Sequence, residues 1–172
     1  METKNKRAAV EKSIEYLGEF SKNIIPKSQK IVKQVHENEL PDNPPKMNEV
    51  FLFRKEEDTE EIKQFSERLY KLGALDVLNE LEFFSAAMVH GLADEEVTYT
   101  PIVKPYTSVV AFLYPAICTY RKNDLNAYTN VMELFKIWNG RLQKENLELA
   151  KQQLDQDISS IPNIQIKSIG VK

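Results

Sequence analysis

Apolar residues recur at helical intervals along most of the chain, and the breaks between runs predict where helices begin and end. In residues 4–38, Val10, Ile14, Leu17, Ser21 and Ile24 fall on one helical face, with Lys and Glu between them. Pro26 interrupts this stripe, because its ring removes a backbone donor and disfavours helix at the residue before it. Ile31, Val32 and Val35 resume the stripe, so the segment predicts either one kinked helix or two helices meeting near Ile25 and Pro26. Pro41, Pro44 and Pro45 exclude a helix in residues 40–46 and make that stretch the clearest loop and a candidate hinge. Beyond it, Val50, Phe51, Leu52 and Phe53 predict a short strand or an extended segment pinned to the core.

Asp58 or Thr59 can cap the next helix, with Glu60 and Glu61 in its first turn and Ile62, Phe65, Leu69 and Leu72 on its apolar face. Gly73 suits its carboxyl-terminal cap. Residues 74–90 follow as a helix that is apolar nearly all round (Leu75, Val77, Leu78, Leu81, Phe83, Phe84, Met88, Val89), which places it at the centre, and Gly91 ends it. Asp94 starts another helical region, which Pro101, Pro105 and Pro115 are expected to break or kink. A last long helix is predicted over residues 125–158. Leu125, Tyr128, Met132, Phe135, Trp138, Leu142 and Leu149 mark its stripe, which approaches a heptad seam in its second half. In residues 159–172, Ile164, Gln165 and Ile166 alternate as in a strand. The expected architecture is all-α: an irregular helical bundle of about five to six helices with a long C-terminal helix. Its expected parts are an amphipathic helical arm in residues 1–40, a helical core in 47–158 with an extended last helix, and a tail in 159–172.

Composition sharpens this. Five glycines in 172 residues argue against a turn-rich β protein. A net charge of −3, with both signs mixed along the chain, argues against a nucleic-acid ligand, and the basic stretch Lys22, Lys27, Lys30 and Lys33 reads as a solvated helix face. The single cysteine, Cys118, cannot form an intrachain disulfide; it lies in an apolar run and points to a buried thiol in a reducing cytoplasm. Residues 1–13 are too polar for a secretory leader, and the uncharged stretch 106–120 falls short of the roughly 20 residues a membrane span needs. A core helix is expected there instead.

Catalytic chemistry leaves few traces. His90 lies near Asp94, Glu95 and Glu96 across the Gly91 turn; a metal site could be drawn from them, but helix capping explains the acids better. Glu80 and Glu82 stand two apart and point in different directions on a helix, and no Glu-x-x-His pair is present. His36 sits in a lysine-rich polar stretch. Nucleophile-elbow, phosphate-loop and dinucleotide fingerprints are absent, so no catalytic residue, cofactor or metal is assigned.

Leu78-Asn79-x-x-Glu82, Gly91-Leu92-x-Asp94-Glu95, Tyr120-Arg121 and Trp138 together resemble an uncharacterised bacterial family, a helical domain of unknown function, over residues 75–138. The resemblance implies an all-helical fold and a bacterial or phage source, and brings no reaction with it. Similar members often carry membrane helices ahead of this region, whereas the arm here is polar. Within the motif, Asn79 and Glu82 lie three apart on an apolar helix; buried there they would need partners, and Arg121 is the expected counter-ion, making a structural polar clamp. The functional expectation is a helical module for protein–protein interaction or oligomerisation. It would act as a homo-oligomer or on another protein through Tyr128, Phe135, Trp138, Leu142 and Leu149. Two alternatives stand beside it: a carboxylate-based, metal-dependent hydrolase or nuclease using residues 82–96, and an inhibitor or sensor in phage–host conflict.

Overall fold

The computed structural model describes residues 2–36 and 39–160, which form six α-helices and one π-helical turn, with no strand among the described residues. Helix α1 (Glu2–Glu19) enters the π-helical turn (Phe20–Ile24) and continues as α2 (Ile25–Gln34). Then come α3 (Glu60–Lys71), α4 (Ala74–Val89), α5 (Glu95–Arg121) and the long α6 (Thr129–Ser160). The alternation at Ile164, Gln165 and Ile166 lies outside the described residues. The chain divides into two compact units, Met1–Asn139 and Gly140–Lys172. Both the proline-rich loop and the amino-terminal arm lie within the first unit.

Large apolar side chains explain why the arm docks on its own chain. Its buried face carries Ser13, Phe20, Ile24, Ser28 and Ile31, whereas Ile14 is 62% exposed and Val32 50% exposed. The stripe read from aliphatic spacing was displaced, because the core takes the Phe20 ring. That ring lies 5.1 Å from Phe84 and 6.3 Å from Tyr106. Ser13 clasps the arm from its other end: its hydroxyl donates to the Asp94 carbonyl (3.1 Å) and accepts from the Asp94 N–H (2.7 Å). Near Pro26 the helix widens, with the Ile25 N–H reaching back to the Phe20 carbonyl. A proline early in α2 is tolerated there because its missing donor falls within the altered turn.

Helix α3 starts as expected, with the Thr59 hydroxyl accepting from the Ile62 N–H. Gly73 follows α3 at φ 97°, a left-handed conformation that a side chain would strain. Helix α4 is less enclosed than its composition suggests, for Phe83 is 76% exposed. Of the two forms expected near residues 50–53, a short strand or an extended segment pinned to the core, no strand forms, because Phe51 adopts φ 51°. The ring is nevertheless pinned to the core, 5.2 Å from Tyr114 and 5.6 Å from Phe135.

Helix α5 runs unbroken through Pro101, Pro105 and Pro115, against expectation. It packs against α1, α3 and α4, and this tertiary support outweighs the missing rungs of its hydrogen-bond ladder. By length and composition α5 could cross a membrane, yet 61% of its apolar window is buried inside the protein. Beside it Trp138 is fully buried, with Tyr106 at 5.0 Å, Tyr99 at 5.8 Å and Phe84 at 6.1 Å.

Candidate functional site

Asn79, Glu82 and Arg121 converge on one segment, the turn between α5 and α6, but not on one another. Glu82 reaches from α4 to the start of α6. One carboxylate oxygen accepts from the Asn130 backbone N–H (3.2 Å) and side-chain amide (2.7 Å), the other from the Val131 N–H (3.0 Å). A helix exposes unpaired N–H groups and a partial positive charge at its start, so a carboxylate from a neighbouring helix caps it well. Arg121 donates instead to the Ala127 carbonyl, and its Nε is buried with no hydrogen-bond partner. Asn79 is exposed and accepts from the Tyr128 hydroxyl at 3.5 Å. The expected Glu82–Arg121 ion pair is thus replaced by two separate grips on the same turn. Between them Tyr128 sits at φ 55°, a conformation that costs a non-glycine residue on the order of 1 kcal/mol and persists where its surroundings hold it.

The other motif residues also serve turns. Gly91 at φ 68° ends α4, where the Leu92 N–H closes on the Ala87 carbonyl at 2.9 Å. Asp94 caps α5 through the N–H groups of Glu96 (3.1 Å) and Val97 (3.3 Å), and Glu95 accepts from the indole of Trp138. His90 is exposed at the end of α4. Among the described residues, no three His, Cys, Asp or Glu side chains are grouped to hold a metal ion.

Of the five residues expected to form an interaction surface, three are unavailable to a partner. Tyr128, Phe135 and Trp138 are buried in the first unit: Tyr128 packs against Tyr120, Phe135 against Phe51, and Trp138 against Tyr106, Tyr99 and Phe84. The helical stripe was read correctly, but a core-facing and a partner-facing stripe look alike in sequence. Leu142 is half-buried and Leu149 is 62% exposed. The sequence reading missed three other exposed residues of the second unit, Leu147 (71% exposed), Leu154 (61%) and Ile158 (65%). Successive helical residues turn by about 100°, so these three share a face within about 40°, with Leu142 and Leu149 on the opposite side. Their 7- and 4-residue spacing was legible; it was hidden by the heavier stripe that runs from Leu125 through Trp138 to Leu149.

Buried hydroxyl and thiol groups are held neutral. Burial pushes the Cys118 thiol up to about 12 despite a lowering hydrogen bond with Tyr114. Tyr128 is likewise raised to about 12, by burial first and then by the fields of Tyr120 and Glu82. Burial raises Tyr106 as well; it hydrogen bonds to Ser85 (2.8 Å) and to the Val131 carbonyl (3.1 Å).

No curated protein and no solved structure matches the chain. A family model described as a domain of unknown function, DUF4760, matches residues 2–138. The match takes in the amino-terminal arm as well as the motif region, and its end falls one residue before the boundary of the first compact unit. The chain therefore belongs to the DUF4760 family of domains of unknown function, with its first compact unit as the family domain.

Proposed function

We propose that this chain is a helical protein–protein interaction module without catalytic activity, working in the cytoplasm of a bacterium or of a phage-infected cell, and that it associates with a second copy of itself. The observation that carries this reading is the exposed face formed by Leu147, Leu154 and Ile158 in the second unit. Aliphatic side chains repeated along one helical face are stabilised when a partner helix removes them from water, at about 25 cal/mol per Å2.

Use of the acids of residues 82–96 as caps for α5 and α6 and as the acceptor for Trp138 supports a structural role for them. The buried, neutral thiol of Cys118 supports a reducing compartment.

Light scattering on the whole chain tests the proposal. A dimer is expected, and the double substitution Leu147→Glu with Leu154→Glu should convert it to a monomer with unchanged helix content. A wild-type monomer, or a dimer indifferent to both substitutions, would refute self-association through this face.

A further inference from the structure

The first unit carries a second feature that the interaction reading does not use. Beside the π-helical turn lies a cleft of about 410 Å3, within the range of small-molecule sites. Its walls are aromatic: Phe20 and Phe84 form the buried floor, with Tyr16 and the exposed Phe83 toward solvent. Glu19, Asn23 and Glu80 supply its polar groups. Phe83 is the most exposed large apolar residue of the described chain, and its own core gives no reason for a phenyl ring there.

We propose that this cleft binds an organic cation bearing a primary ammonium group, either the end of a free polyamine or a lysine side chain. An ammonium has three donors, and Glu19, Glu80 and the Asn23 carbonyl offer three acceptors. Its alkyl stem and charge suit the faces of Phe83 and Tyr16, because aromatic faces attract cations. The protein already places such a group at the edge: Lys27 Nζ hydrogen bonds to Glu80 Oε1, while Glu80 Oε2 is buried with no hydrogen-bond partner. Lys27 is thus both a rehearsal of the recognition and a competitor for it. The π-helical turn inserts an extra residue where Asn23 joins the rim, a placement that such turns often serve at binding sites.

Calorimetric titration of the full chain with spermidine and, separately, with N-acetyl-lysine methylamide tests this. Saturable binding of at least one probe is expected; spermidine alone points to a polyamine, both together to a lysine-like ammonium. Phe83→Ala should weaken binding about fivefold, and the exposed position makes unfolding an inadequate explanation, which circular dichroism checks. Lys27→Met should tighten binding about threefold or more by freeing Glu80. Absence of binding of both probes to the wild type and to Lys27→Met overturns the proposal, and so does an affinity indifferent to either substitution.

Discussion

Replacing Glu82 with Ala removes an acceptor used three times at the start of α6: by the backbone N–H groups of Asn130 and Val131 and by the Asn130 amide. Loss of an ordinary helix cap costs about 1 kcal/mol. Here the acceptor is charged, and hydrogen bonds to charged groups contribute about 1.5–3 kcal/mol in protected settings. The carboxylate also faces the positive end of a helix, which adds about 0.5 kcal/mol. Glu82 is only half-buried, so water can satisfy part of what is lost, and a net cost of about 3 kcal/mol follows. For a domain of this size, 1 kcal/mol corresponds to about 3 °C, so Tm should fall by about 9 °C. Thermal unfolding followed by circular dichroism, with calorimetry to confirm a single transition, measures it. Glu82→Gln keeps one acceptor oxygen and should lose about a third as much. A Glu82→Ala protein melting within about 2 °C of the wild type would refute the capping argument.

Arg121→Met should behave differently. The guanidinium is 5% exposed, touches one carbonyl and has a buried Nε without a partner, so an apolar chain of similar length is expected to change stability by less than about 1 kcal/mol. A loss of several kcal/mol in urea denaturation would mean that Arg121 meets a carboxylate after all. Cys118, buried and raised to about 12, should react with iodoacetamide at pH 8 at least about a thousandfold more slowly in the native protein than in urea. Mass spectrometry of the alkylated fraction reads this out, and labelling at similar rates in both states would contradict the burial.

Much of the helical framework could be read from the chain because its punctuation is local. Thr59, Gly73, Gly91 and Asp94 act on their own neighbours, and each ends or starts a helix where expected. What escaped depended on distant partners. The three prolines of α5 argue locally for a break, and only the surrounding helices overrule them. Ser13, a polar residue in an amphipathic stripe, gives no hint that it will hold the Asp94 backbone. Opposite charges on Glu82 and Arg121 suggested a pair, yet the turn between α5 and α6 offered each a backbone partner that composition does not reveal. The same limit applies to Phe135 and Trp138, whose spacing specifies an apolar face but not whether the face belongs to the chain or to a partner.

The prolines also set the order in which the molecule can be built. A helix extends by adding one bond per residue, and at Pro101, Pro105 and Pro115 that bond cannot form, so α5 is a poor helix on its own. Helices α3 and α4 are proline-free and can form on local bonds alone, whereas α5 depends on packing against them. A nascent chain released before α5 meets those neighbours would display a long apolar segment to whatever chaperone or protease is nearby.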